Sequence, residues 1–318
     1  MNRTLTAPLL ARLDQRAAEA SLTLDHDVPM APLTTLRVGG SADRMATPTT
    51  TDELLTVLRV ARAAEVPLLV LGKGSDIVVA DDGIRGLVIR NRADAIALQG
   101  TTVTADSGSA MALLVKRCTA AGLAGMEFGI SIPGSVGGAV WANAGAHGGE
   151  MKDVVRRAAV FDLRDASVHV LGTDDCAFAY RESRFKHSPE IVLSAYLELE
   201  RGDPKTIADA VREHQAQRRA TQPLGDANAG SVFRNPPGDH AGRLVDAAGL
   251  KGHRVGSAQV STLHANFIVT DPGGRAADVR ALGNHVRSVV AQRFGVTLEY
   301  EIEFVGDWPV AELPGEAP

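Results

Sequence analysis

Apolar positions along the chain alternate between helical and strand-like spacing without settling into a regular strand–helix repeat. The clearest helix is TTDELLTVLRVARAAE. There Leu54, Leu55, Leu58 and Ala61 form one stripe, and Thr50 and Glu53 have capping-box spacing. Pro67 is expected to stop this helix. The short apolar run 68–71 predicts a buried strand, IVVADDGIRGLVIR reads as strand–turn–strand, and TVTADSG is a further strand. MALLVKRCTAA predicts a helix ending at Gly122. RRAAVFDLRDASVHVL predicts a hairpin, and IVLSAYLELE places Ile191, Leu193, Ala195, Leu197 and Leu199 on one face at period two. Asp203 and Pro204 are a helix cap and first helical residue for PKTIADAVREHQAQRRA, which marks a domain boundary. Beyond it come a long loop, a short helix around GRLVDAAG, a strand HANFIV, a helix around VRALGNHVRSVVAQRF and a final strand LEYEIEFVG. Strands not regularly separated by helices predict an α+β fold. The tail PVAELPGEAP is expected to lack structure.

The 318 residues, 45% hydrophobic and 22% charged, suffice for two or three domains. A formal net charge of -5 with no basic block argues against a nucleic-acid partner. Cys118 and Cys176 form no C-x-x-C pair, which fits a reducing compartment and no metal site. Arg12, Asp14, Arg16 and Glu19 interrupt the N-terminal segment, so it does not read as a signal peptide, and no stretch approaches the roughly 20 apolar residues of a membrane span. A cytoplasmic monomer without membrane contact is the expectation.

Two glycine-rich stretches carry the first hint of chemistry. GKGSD follows a strand, but a P-loop needs a glycine where Pro67 stands and a Rossmann fingerprint a third glycine where Ile77 stands. What remains is a tight turn at Gly72 and Gly74 that can turn N–H groups toward an anion. The second stretch, GMEFGISIPGSVGGAVWANAGAHGGEM, has neither periodicity and almost no charge. Its glycines suit either a ligand lying against bare backbone, particularly at Gly137 and Gly138, or a close crossing of two chain segments.

TTLRVGG (34–40), LGKGSDIVVADDGIRGLVI (71–89) and the second glycine stretch resemble the flavin-binding half of the UDP-N-acetylenolpyruvoylglucosamine reductase (MurB) family. YRESRF (180–185), NAGSVFRNP (228–236), LKGHRVG (250–256) and LEYEIEFVG (298–306) resemble its substrate half, in the same order. The resemblance implies an FAD-binding domain of the PCMH or vanillyl-alcohol-oxidase type, built from two subdomains, and a C-terminal α+β substrate-binding domain. The expected division is an N-terminal extension 1–33, the FAD-binding domain 34–202, the substrate domain 203–306 and a tail 307–318. The short spacing after YRESRF looks like the subtype without an inserted tyrosine loop. FAD would rest on Gly72, Lys73, Gly74, Ser75, Asp76, Ile132, Pro133, Gly134, Ser135, Gly137, Gly138, Asn143, Gly145 and Ala146. In one departure, Asp76 stands where the family commonly has asparagine, and its carboxylate would repel a pyrophosphate unless it points away or caps backbone N–H groups.

The implied reaction takes a hydride from NADPH through FAD to an enolpyruvyl ether, giving UDP-N-acetylmuramate for peptidoglycan. Such chemistry needs a fixed cation, a hydrogen-bonding acid and a proton donor. By motif position these match Arg181, Glu301 and Ser231. Period two in LEYEIEF puts Glu299, Glu301 and Glu303 on one face and does not itself choose among them; near like charge a buried Glu301 should resist ionisation. Tyr180, Asn235 and His264 stand where the family contacts substrate, although a histidine before a strand is commonly structural. Competing expectations are an oxidase on the same flavin fold and a non-catalytic flavin or UDP-sugar binder.

Overall fold

The computed structural model describes residues 3–309, so residues 310–318 of the expected tail lie outside the described residues. The chain opens with a helix, Arg3–Glu19, that the sequence pattern did not single out. Leu13 and Ala17 are buried, and Leu13 joins Leu54, Leu58 and Ala61 of the helix Thr51–Ala64 in one apolar cluster. Pro8 and a dispersed apolar pattern weaken this first helix in isolation, so docking holds it. Leu13→Ala should therefore lower stability by about 2–5 kcal/mol. Urea unfolding checks this, and a loss under about 0.5 kcal/mol, the size of a surface substitution, would mean the helix is not docked.

The helix Thr51–Ala64 is capped as expected at one point and differently at others. Thr50 Oγ accepts from the Glu53 N–H (3.2 Å), but the Glu53 carboxylate takes the Thr49 N–H (2.7 Å) and hydroxyl (2.9 Å). The stop is Glu65, in the left-handed region at φ 54°, two residues before Pro67.

A four-stranded sheet runs in the order Asp25–Pro29, Ser41–Ala46, Ile84–Arg90, Leu68–Leu71, with the first pair antiparallel and the others parallel. A second sheet is antiparallel throughout, in the order Ser167–Gly172, Val155–Asp162, Glu190–Glu198, Thr102–Asp106, Ile96–Gln99. It contains the expected hairpin, and it packs on the helix Met111–Ala120 and on Val136 and Val140 of the glycine-rich stretch. The helix Pro204–Thr221 begins as its sequence predicts, with Asp203 accepting from the Thr206 N–H at 2.9 Å, and contributes Val211 to that same cluster.

The C-terminal part carries a small antiparallel sheet ordered Ala227–Asn228, Ile268–Thr270, Ala258–Val260, Arg254–Val255, covered by the helices Ala241–Ala247 and Ala276–Phe294. The expected strand HANFIV is strand only from Ile268; residues 264–267 form a turn, closed by Phe267 N–H to His264 C=O at 3.0 Å. LEYEIEFVG is strand only over Glu303–Val305, although its alternation survives as burial of Leu298 and Ile302. Trp308, allotted to the tail, is buried against Phe304.

Long-range pairing joins the two halves. The strands Ile77–Val79 and Ile84–Arg90 do not pair with each other. Ile77–Val79 instead runs parallel to Glu303–Val305, with Glu303 opposite Ile77. Leu36, Val38, Val78 and Ala80 thereby enter the C-terminal core. No helix among the described residues is long and apolar enough to cross a membrane.

Candidate functional site

YRESRF is built to present two side chains. Ala179 and Glu182 exchange backbone hydrogen bonds (3.0 and 3.1 Å), making Tyr180 and Arg181 the tip of a two-residue turn. Arg181 sits there at φ 55°, a conformation costing a non-glycine residue roughly 1–3 kcal/mol, and the motif's other residues hold it. Ser183 donates to Trp141 C=O (2.6 Å) and accepts from Phe185 N–H, Phe185 is buried in the core, and Arg184 grips Glu190 through two hydrogen bonds.

The projected guanidinium reaches both halves of the molecule. Arg181 Nε donates to Glu301 Oε1 at 2.7 Å, and Arg181 Nη2 donates to the carbonyl of Gly145 at 2.8 Å. Both side chains are about one-fifth exposed, so the pair is accessible at one edge.

Ser231 follows a turn in which Asn228 Oδ1 accepts from Gly230 N–H (3.0 Å) and Gly230 takes φ 77°. Backbone bonds from Val232 N–H to Asn266 C=O and from Glu301 N–H to Val232 C=O (both 2.8 Å) then fix it. The second bond ties the residue beside Ser231 to Glu301, so Ser231, Glu301 and Arg181 belong to one connected structure. Thr35 fastens that structure to the first glycine turn. Its N–H donates to Gly74 C=O (2.9 Å) and its hydroxyl to Asn228 C=O (2.6 Å).

Beside Ser231 opens a cavity of about 350 Å³, lined also by Asn235, Arg243, Lys251 and His264. Asn235 spends its carbonyl on the N–H of Ala241, the first residue of a helix, and its own N–H points to the Tyr180 hydroxyl at 3.4 Å. Tyr180 is otherwise well exposed, beneath the Arg181 guanidinium. His264 combines the structural and pocket positions: Nδ1 accepts from Asn266 N–H at 3.2 Å, and the ring lines the cavity. Burial and nearby Lys251 push its pKa down, which keeps the ring neutral with the proton on Nε2.

The two glycine turns face each other. Ser75 donates to Pro133 C=O, and a Cβ placed on Gly72 would strike Ser135 Oγ. Most of the glycines are demanded by the chain itself. A Cβ on Gly74 would meet Leu33 C=O at 2.4 Å, on Gly137 Ser107 Cβ at 2.8 Å, and on Gly145 Gly149 C=O at 2.6 Å. Gly138 differs: a Cβ there would come no closer than 3.7 Å to protein, at the exposed edge where the turns meet. This open backbone, flanked by exposed Lys73 and Pro133, fits a flat or phosphorylated cofactor such as FAD.

Asn143, expected among the cofactor ligands, has a structural post instead. It is fully buried, its amide donates to Glu150 Oε2 (2.6 Å) and Ala179 C=O (2.8 Å), and its carbonyl accepts from Lys152 N–H. These bonds pin the Arg181 turn to the glycine-rich loop.

Lys186 was missed. Its side chain is only 8% exposed, with Nζ 3.2 Å from Glu303 Oε1 and 4.2 Å above the Trp141 ring. Its place directly after YRESRF, on the short turn Arg184–Lys186, was the available signal. Arg243 and Lys251 also escaped notice, and each is paired with an acid, Asp239 and Asp246 respectively.

Residues 42–172 match the family model of an FAD binding domain, and residues 222–305 match that of the UDP-N-acetylenolpyruvoylglucosamine reductase C-terminal domain. The chain is 44% identical over 283 residues to UDP-N-acetylenolpyruvoylglucosamine reductase 2 of Symbiobacterium thermophilum, covering 88% of this chain and 92% of the relative. It is 38% identical over 281 residues to the reductase of Bacillus subtilis, covering 87% and 92%. The crystal structure of the MurB reductase from Thermus caldophilus superposes with a TM-score of 0.76 at 36% identity, covering 91% of this chain and 99% of that one. An FAD-binding half and a reductase-type C-terminal half, joined through Arg181, Glu301 and the Ser231 turn, are therefore matched along nearly the whole length: the chain belongs to the UDP-N-acetylenolpyruvoylglucosamine reductase family of FAD-dependent oxidoreductases.

Proposed function

We propose that the protein uses NADPH to reduce the enolpyruvyl ether of UDP-N-acetylglucosamine to UDP-N-acetylmuramate, with Arg181, Glu301 and Ser231 as its catalytic residues. The observation that supports this reading is the backbone bond from Glu301 N–H to Val232 C=O, which ties the segment carrying the Arg181–Glu301 pair to the residue next to Ser231, itself part of the cavity wall. Gly72–Ser75, Ile132–Ser135, Gly137, Gly138, Gly145 and Ala146 would hold FAD, chiefly by backbone, and the bound flavin supplies a hydride to the outer enolpyruvyl carbon.

The chain's own residues do the rest. The Arg181 guanidinium, a planar fork, suits the substrate carboxylate, which would take over the hydrogen bond that Glu301 accepts from Nε. Glu301, still held by its main chain, would then face that carboxylate and, once it has taken up a proton from solvent in place of the Arg181 hydrogen bond, serve it as a hydrogen-bonding acid. Ser231 gives its hydroxyl proton to the neighbouring carbon as negative charge develops there. Lys251 and Arg243, at the cavity wall, suit the diphosphate, and neutral His264 offers an Nε2 proton. With no dinucleotide fingerprint in the chain, NADPH would use the substrate cavity in alternation with substrate, as the family resemblance implies.

The test is optical. The purified protein should be yellow, bleach anaerobically with NADPH and regain colour on addition of the enolpyruvyl substrate. Sustained NADPH consumption with oxygen alone would point to an oxidase. A colourless polypeptide that refuses added FAD would refute the reading.

A further inference from the structure

Five ionisable side chains from three separate segments lie close together, the Arg181–Glu301 pair among them. The parallel pairing of Ile77–Val79 with Glu303–Val305, continued by Glu303 N–H to Asp76 C=O at 2.9 Å, lays Asp76 alongside the segment carrying Glu301 and Glu303. The turn 180–187 supplies the cations Arg181 and Lys186. Each cation already has a carboxylate: Arg181 lies 2.7 Å from Glu301, and Lys186 lies 3.2 Å from Glu303. No ion pair or side-chain hydrogen bond joins Asp76 to any of the described residues. With two cations and three carboxyl groups, one acid is in excess. Ionising the excess acid in a partly closed site is costly, because no donor replaces the water that its charge would lose.

We propose that Asp76 is an uncharged carboxylic acid in the resting protein and acts as a positioning residue. While it keeps its proton, Arg181 remains with Glu301 and Lys186 with Glu303; once ionised, it competes for both cations and loosens the pair on which the substrate carboxylate must land. A neutral acid at position 76 also has the shape of the asparagine common there in the family, and it places no charge against a pyrophosphate. Burial is the largest influence pushing the Asp76 pKa well above the usual carboxylate range, followed by the negative charge of Glu301. Glu303 adds to the rise, and Lys186 and Arg181 oppose it.

The sign of the linkage follows. An acid whose proton is held more tightly in the folded state favours folding below its unfolded pKa of about 3.9, and that contribution is lost as pH rises toward the folded value. Asp76→Asn should therefore raise the melting temperature relative to the parent at pH 7, with a gap that closes toward pH 4.

Aspartate-labelled ¹³C NMR of the FAD-loaded protein tests the assignment directly. One carboxyl should remain protonated at pH 7, vanish from the spectrum in Asp76→Asn and titrate at lower pH in Glu301→Gln. In stopped flow, the alkaline limb of substrate-driven flavin reoxidation should lie at least one pH unit higher in Asp76→Asn, about a tenfold rate advantage on that limb. Asp76 titrating in the ordinary carboxylate range overturns the inference, as does a resonance unmoved by Glu301→Gln. Superimposable kinetic limbs do the same. Only the kinetic arm rests on the proposed reaction; if the substrate fails to reoxidise the parent flavin, that reaction falls and the NMR titration decides Asp76 by itself. Should Asp76→Asn not fold, Glu301→Gln keeps the titration decisive.

Discussion

Replacing Ser231 by alanine should leave bleaching of the flavin by NADPH within about threefold of the parent while slowing its reoxidation by the enolpyruvyl substrate roughly 10²–10⁴-fold, the usual worth of a positioned proton donor. The split is expected from where the hydroxyl is anchored. The Asn228–Gly230 turn and the bonds of Val232 to Asn266 and Glu301 are main-chain or Asn228 interactions, so removing Oγ leaves the turn standing. Nothing in the glycine turns depends on that oxygen, and flavin reduction should pass unaffected. Rapid mixing measures each half-reaction separately. Equal slowing of both would contradict the assigned role, and an unchanged reoxidation rate would remove Ser231 from the chemistry.

The second large effect separates two neighbouring glycines. Gly138→Val should fold with a melting temperature close to the parent's and yet be isolated colourless, because a Cβ at Gly138 has no protein atom nearer than 3.7 Å and its branches would occupy ligand space. Gly137→Ala should behave in the opposite way. Its Cβ would meet Ser107 Cβ at 2.8 Å and Ser107 C=O at 3.0 Å, so the helix Val136–Trp141 must move off the five-stranded sheet. Overpacking of this kind costs about 1–3 kcal/mol. Thermal melts and the absorbance of bound flavin decide both cases. A yellow, active Gly138→Val would show that flavin does not lie there.

These two glycines mark the limit of what was legible beforehand. Adjacent in sequence and identical in type, they serve different partners, one the chain and one the space beside it. Glycine records only that a side chain is unwelcome. The initial helix was missed for a related reason: Leu13 finds its apolar partners in Leu54 and Leu58, about forty residues away, while Pro8 argues locally against a helix. The capping of the helix at Asp203 was read correctly because donor and acceptor lie three residues apart. In LEYEIEFVG the alternation predicted which side chains are buried and overstated the strand. Alternation follows from facing a core, whereas a strand needs continuous pairing: Glu303–Val305 finds it in Ile77–Val79, while Tyr300 makes only an isolated bridge to Phe233.

Local patterning was thus enough for the α+β class, and motif order for the family, whose resemblance singled out Arg181, Ser231 and Glu301 as candidates, since caps, turns and periodicity act over a few residues and motifs are written in line. Tertiary structure alone decided that Arg181 meets Glu301, that Asn143 is a pin, and that Lys186 and Asp76 join the charged cluster. Charge balance and close contact depend on distances through space between segments far apart in the chain, and no local pattern encodes those distances.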